Sequence, residues 1–323
     1  AILLFNPKLV TDYVWKNFVV NPPPHTVVRK IDYTENPFLS QKALRDIAAM
    51  QERDPETFEH VYGGVPLGDS ELSIFKRRWL DACVDAHDVL GIDLAGRNVI
   101  GFDPADDGED KCATADKING VFIDAEDWSS GKDELVQNAK RVWAKANRIK
   151  GCVSYDTIGI GSFVGGYIDE QNETEGGDVE HYAFHAGGAV MDGDKPSDPQ
   201  NDNSPLNKDE YLNLKSQSWA NTARKAMLTF NAVTRGQSVK PEDILSFSSS
   251  MGAEKLDALF TELCVPWWVE TEGKKRVVPK VKLKKDLGVK SHNLADAVIA
   301  ADNIDLGGQR HYAGMLLSKR KRS

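Results

Sequence analysis

The 323-residue sequence has no apolar run approaching the roughly 18 residues that a membrane-spanning helix requires. Its opening stretch, Ala1 to Val10, has neither the charged region nor the cleavage site of a secretory leader, so no membrane partner and no export are expected. The absence of an initial Met is what a fragment or a processed product would show. Cysteine is scarce. Cys83, Cys112, Cys152 and Cys264 are far apart and form no CxxC pair, which excludes a clustered zinc site and a disulfide framework and leaves free thiols in a reducing compartment. No GxxxxGKS/T phosphate loop occurs, nor the acidic strand pair that would hold ATP-bound magnesium, so ATP hydrolysis is not expected of this chain. There is no internal repeat, and there is no excess of positive charge.

The formal net charge is −9, a poor match to a polyanionic partner when taken as an average. The distribution changes that reading. Residues 169–210 are dense in Asp and Glu against only Lys195 and Lys208, whereas 274–290 hold Lys274, Lys275, Arg276, Lys280, Lys282, Lys284, Lys285 and Lys290 against Asp286 alone. The tail, Lys319 to Arg322, is basic as well. A duplex feels such patches locally, within a Debye length of about 10 Å.

Local patterns divide the chain into four stretches. Residues 1–68 combine a short apolar strand, Ile2 to Phe5, with proline-punctuated loops, a helix from Lys42 to Arg53 and a second helix opening at Pro55. Residues 69–96 read as one connecting helix stopped by Gly91. Residues 97–310 form the main domain. It opens with a strand from Asn98 to Asp103, followed by a hairpin of strands near 111–118 and 120–124 around Asn119-Gly120. Next come an amphipathic helix from Leu135 to Ile149, a strand from Cys152 to Asp156 and a glycine-rich turn into another helix. Residues 187–207 read as a long surface loop, and a helix over about 208–235 follows. A helix near 252–264, a hairpin across Glu272-Gly273 and a helix from Ser291 or Asn293 through Asp296 complete the domain. Residues 311–323 are the basic tail. The alternation of strands and helices implies an α/β fold.

The acids stand at informative places. Asp103 and Asp156 each end a strand, and open α/β sheets bind ligands beyond the carboxyl ends of their strands. Asp296 lies among small residues in Leu294 to Ala297, which would let its helix approach a sheet. Three converging carboxylates repel unless hard cations lie between them, and Mg2+ or Mn2+ is the expected occupant. Asp106 or Asp107 would add a further ligand. Each acid alone is more often a turn residue or a helix cap. His181 and His185, although four apart, lie in a strand-like setting and read as non-ligands. The GxG at Gly159 and Gly161 lacks the third glycine of a dinucleotide fingerprint.

The sequence resembles the large subunit of tailed-phage terminases, in the PBSX-like headful-packaging branch. Leu4 to Lys8, Phe18 to Pro23, Asp32 to Pro37 and His60 to Pro66 match family stretches in order and spacing, and Lys76 to Leu80 is similar to the family's linker helix. The resemblance implies that residues 1–68 are the end and lid of the packaging ATPase. It further implies that the main domain is an RNase H-like nuclease with a mixed sheet flanked by helices. Asp103-Pro104-Ala105-Asp106 matches the family's first metal-acid motif, Asp156-Thr-Ile-Gly159 loosely matches the second, and Leu294 to Ala297 fully match the third. Asn213 to Gln217 resembles the family's Asn-x-Lys-x-Gln helix, which brings in Lys215, and Lys280 holds the place of a lysine beside the metals.

The implied function is two-ion endonucleolytic cleavage of concatemeric double-stranded DNA during genome packaging. Asp103, Asp156, Asp296 and Asp106 are the implied ligands and Lys280 assists with charge. Lys215, Lys274, Lys275, Arg276, Lys282, Lys284 and Lys285 are expected to meet DNA. The portal protein and the small terminase subunit are the expected partners, and the expected location is the host cytoplasm, transiently at the procapsid portal. Two alternatives stay open: a docking module of the packaging motor, and a Holliday-junction or hybrid nuclease of the same fold.

Overall fold

A computed structural model describes residues 2–5, 13–53, 55–64, 73–105, 111–131, 134–157, 159–199, 201, 203–287, 292–307 and 309–311. The chain divides into two compact units, Ala1–Ser73 and Ile74–Ser323.

In the first unit, Ile2 to Phe5 form no strand. They are irregular and exposed, because a strand needs a ladder partner and none pairs with them among the described residues. Helix α1 (Gln41–Arg53) is capped by Ser40, whose hydroxyl accepts from the Ala43 N–H at 3.1 Å. Helix α2 (Pro55–Val61) begins at its proline, where the missing N–H costs nothing. Tyr33, Phe58 and Tyr62 pack edge-on or tilted at 5.7–6.0 Å and form a small aromatic core.

The second unit is built on a seven-stranded mixed sheet. Its strands are β1 (Asn98–Asp103), β2 (Lys111–Ile118), β3 (Val121–Ser129), β4 (Cys152–Asp156), β5 (His181–Phe184), β6 (Ser246–Phe247) and β9 (Gln309–His311), in the order β6-β3-β2-β1-β4-β5-β9. The β1–β2–β3 meander is antiparallel, whereas β4 runs parallel to β1 and β5 parallel to β4. Asn119 and Gly120, at φ 45° and 86°, make the tight turn expected between β2 and β3. A separate hairpin, β7 (Trp268–Thr271) with β8 (Lys274–Val277), turns at Glu272 and Gly273 with φ 54° and 72°.

Residue alternation along the central strands assigns the two faces. Ile100, Phe102, Val153 and Tyr155 point into a core with α5 (Leu135–Ile149) and α6 (Val164–Glu175). Val99 and Cys152 point into the opposite core, with α8 (Leu214–Arg235), α9 (Ala253–Cys264) and α11 (Asn293–Asp302). The result is the helix-flanked mixed sheet that the sequence implies.

Three expectations change in detail. Within 69–96, the described residues 73–96 form not one helix but two short ones, α3 (Arg77–Ala82) and α4 (Ala86–Leu90). Ile74, Phe75, Leu80 and Cys83 are buried in the second unit's core, so this segment is part of that unit's packing. The long helix over 208–235 is interrupted after α7 (Asn207–Glu210), because Asn213 turns its side chain back to accept from the Ser216 N–H at 3.0 Å and starts α8 afresh. The loop 187–207 is ordered by its own hydrogen bonds, with Ser197 N–H donating to Pro205 O at 2.8 Å and a bridge between Pro196 and Leu206. The described part of the basic run, 274–287, is split between β8 and α10 (Lys280–Leu287), and Lys290 lies outside the described residues.

Candidate active site

The central strands deliver two acids to one edge of the sheet. The β1–β4 register pairs Gly101 with Ser154 and Phe102 with Tyr155, so Asp103 and Asp156 follow side by side at the carboxyl ends of parallel neighbours. Both share a face with Gly101, since side chains alternate along a strand. That face is crossed by α11. A Cβ on Gly101 would overlap the carbonyl oxygen of Ala297, so only glycine lets the helix come this close. Ala295, Ala297, Ala300 and Ala301 supply the matching smooth face and are buried. Asp296, next to Ala297, is thereby held over Asp103. Gly161 does similar work at the second acid, because a Cβ there would overlap the Asp156 carbonyl oxygen.

The electrostatics follow from this convergence. Burial, then the fields of Asp296 and Asp156, push the Asp103 carboxyl up to about 8, against the pull of Lys280 and Lys215. Burial also opposes the charge on Asp296, but Lys215, His292 and Lys280 outweigh it and hold that carboxyl below the ordinary range. Lys215 Nζ lies 2.7 Å from one Asp296 oxygen and 2.9 Å from the other, and Lys280 Nζ lies 3.4 Å away. Asp103 is thus the acid of the pair that holds its proton more firmly, and Asp296 the one that ionises more readily. The donor set is carboxylate oxygen in a buried setting, which fits a hard divalent cation.

The Asn-x-Lys-x-Gln stretch has a clear mechanical logic. Asn213 caps α8, Lys215 in its first turn reaches Asp296, and Gln217 clamps the Met191 backbone. The clamp is a pair of 2.8 Å bonds, one donated by the amide to Met191 O and one accepted from Met191 N–H. Lys280 lies at the start of α10. Lys282, Lys284 and Lys285 extend along that helix on exposed positions, whereas Lys274, Lys275 and Arg276 lie on β8, with Lys275 paired to Glu210. Asp106 and Asp107 lie outside the described residues.

Two neighbours were not visible in the sequence pattern. Glu262 on α9 accepts from the Ala295 N–H at 3.2 Å and so caps α11 beside the acid; burial pushes its carboxyl up to about 7. His292 is buried 3.6 Å from Asp296, and burial lowers it to about 4 despite the favourable field of that carboxylate. No local spacing signals Glu262, which is an ordinary acid in an amphipathic helix. His181 and His185 do not act together. His181 pairs with Asp169 at 3.0 Å and His185 meets Thr157 at 3.0 Å.

Neither a family model nor a curated protein matches the sequence. Solved structures do. The nuclease domain of the large terminase subunit of bacterial virus Sf6 matches with a TM-score of 0.64 at 27% identity, over 71% of this chain and 98% of that one. The chain carries a large-terminase nuclease domain. Lysine-to-alanine mutants of the Sf6 domain, one with manganese and one with calcium, match this terminase nuclease at 0.63 and 0.64 with the same identity and coverage. Its mixed sheet with flanking helices is the RNase H-like nuclease fold. No helix among the described residues is long and apolar enough to cross a membrane.

Proposed function

We propose that this terminase nuclease cuts concatemeric double-stranded DNA during packaging, by phosphodiester hydrolysis that depends on two Mg2+ or Mn2+ ions. The observation that carries the reading is the buried Asp103 carboxyl, pushed up to about 8 between Asp156 and Asp296 at the sheet's carboxyl edge. Such a site gains most from cations that replace its proton. Asp103, Asp156 and Asp296 would hold the ions. The three carboxylates are not drawn together as tightly as ligands of one ion. Among the described residues, the only acid or histidine trio with all ligand atoms within 4.8 Å lies elsewhere. Bound cations would supply Lewis acidity for activating water and stabilising the departing 3′ oxygen.

The chain's own residues prepare that chemistry. Lys215 and Lys280 hold Asp296 ionised. Lys280, farther from Asp296 than Lys215, would turn its charge toward a bound phosphate. Asp106 would add a ligand. Lys274, Lys275, Arg276, Lys282, Lys284 and Lys285 would meet the DNA backbone. The first unit would be the end of the packaging ATPase, and the portal and small subunit would be the partners, at the procapsid in the host cytoplasm. The manganese and calcium in the Sf6 structures support the choice of divalent ions.

Supercoiled plasmid is the direct substrate for a test. With Mg2+ or Mn2+, linearisation and smearing are expected, with none in EDTA and at least a hundredfold less in Asp103→Asn or Asp296→Asn, a loss of roughly 2.7 kcal/mol or more of transition-state stabilisation. Undiminished cutting by either variant would overturn the assignment.

A further inference from the structure

Away from the carboxylate site, Asp85 in the turn between α3 and α4 and His87 and Asp88 in the first turn of α4 have ligand atoms that all lie within 4.8 Å of one another. The hydrogen bonds around His87 decide what that cluster is suited to. The ring is about 95% buried, and its Nδ1 lies 2.8 Å from the Ser246 hydroxyl oxygen. That hydroxyl donates its single hydrogen to the Cys83 carbonyl oxygen, at 3.2 Å, and also accepts from the His87 backbone N–H at 3.1 Å. With the hydroxyl hydrogen on the Cys83 carbonyl, Nδ1 carries the ring hydrogen and donates it to the hydroxyl oxygen. In the neutral ring, the lone pair is then on Nε2. The nearest paired group to Nε2 is Asp88 Oδ1 at 3.7 Å, too long for a hydrogen bond, and in this tautomer the two face each other as acceptors.

Asp85 closes the third side. Its Oδ1 accepts from the Ser249 N–H at 2.8 Å and its backbone N–H donates to Phe247 O at 2.9 Å, so its position is fixed from β6 and the residues after it. Asp88 is mostly exposed, which leaves an open path from solvent and room for water to complete a coordination shell.

We propose that Asp85, His87 and Asp88 form a second, non-catalytic site for a divalent cation of borderline softness, Zn2+ or Co2+, bound through His87 Nε2 and the two carboxylates. One imidazole nitrogen with two carboxylate oxygens and water is a tetrahedral set that such ions accept, and the Nδ1–H to Ser246 bond is the outer support that fixes the ligand tautomer. The ion would join the α3–α4 turn to the β6 edge of the sheet, and so hold a segment that contributes Leu80 and Cys83 to the core. This site does not depend on the nuclease reading.

The test is a titration of the full chain, made without a histidine tag, with Co2+ and with Zn2+, alongside His87→Gln, Asp88→Asn and Asp103→Asn. Asp88→Asn alters an exposed side chain and should keep the parent's circular dichroism and plasmid cleavage, which guards against misreading an unfolded His87→Gln. The visible Co2+ band of nitrogen-containing tetrahedral coordination should appear in the parent and in Asp103→Asn, and vanish in the other two. Calorimetry with Zn2+ should count about one ion fewer per chain in Asp88→Asn, since losing a ligand typically removes a small metal site's affinity. If Asp88→Asn and His87→Gln keep the band and the parent's stoichiometry, or if only Asp103→Asn loses them, the proposal is overturned.

Discussion

Asp103 is a carboxylic acid whose ordinary proton affinity has been reversed by its surroundings. Its folded value, about 8, lies above the unfolded 3.8, so the unfolded chain releases this proton first. The group's contribution to stability is therefore full below pH 3.8 and, in the metal-free protein, is lost as pH rises toward 8. Asp296 runs the other way, since its depressed value favours folding above the ordinary carboxylate range and is lost on acidification. A cation that binds Asp103 must displace the proton. At pH 7, Mn2+ binding should release about one proton per chain and tighten as pH rises to 8, then level off. Calorimetry in two buffers of different ionisation enthalpy measures this, and identical heats in both would show that Asp103 is already ionised. Which residues surround an acid is the part least visible in sequence. Asp103, Asp156 and Asp296 announced themselves through strand ends and motif, and Lys215 through the Asn-x-Lys-x-Gln stretch, but Glu262 reaches the site from a helix that is distant in sequence and adjacent only after folding.

Among the elements, the contact of α11 with β1 decides the site. Gly101→Ala would force a methyl group into the Ala297 carbonyl, and backbone cannot swing aside as a side chain can. A cost of roughly 1–3 kcal/mol, the usual scale of overpacking, is expected in urea unfolding. Cleavage should fall further than stability does, because the helix carries Asp296 away from Asp103. If Gly101→Ala cuts plasmid at the parent's rate, then the tight crossing is not what sets the ligand geometry. Most elements are legible in the sequence. The Asn119-Gly120 hairpin, the amphipathic α5 and the strands ending at Asp103 and Asp156 all follow from local pattern. Where local pattern misleads, tertiary contacts are responsible. Ile2 to Phe5 have strand composition and no partner among the described residues, and the 69–96 segment breaks because Asp85, at φ 50°, takes a left-handed turn tied to Ser249.

For the whole molecule, net charge is a misleading summary. The acidic loop spends part of its charge internally, through Lys195 on Asp192 and Lys208 on Asp194, and Lys275 is drawn to Glu210. Lys282 and Lys285 of α10, exposed on the helix that begins at Lys280, are the proposed electrostatic footprint for DNA. Replacing Lys282 and Lys285 with alanine should weaken DNA binding across all sequences. It should also reduce the slope of log affinity against log salt by roughly 0.9 for each phosphate that the protein no longer neutralises. Fluorescence anisotropy over a salt series reads this, and an unchanged slope would move the DNA path elsewhere.

The placing of Asp103 and Asp156 on adjoining central strands has a consequence for control. These strands are paired on both sides, β1 by β2 and β4, β4 by β1 and β5. Their amides should exchange hydrogen only through opening of the entire sheet, among the slowest in the molecule. Local breathing at the strands therefore offers no switch. Under the proposed function, any restraint of cleavage would act on the helices that bring Asp296 and the lysines, or on the approach of the duplex itself.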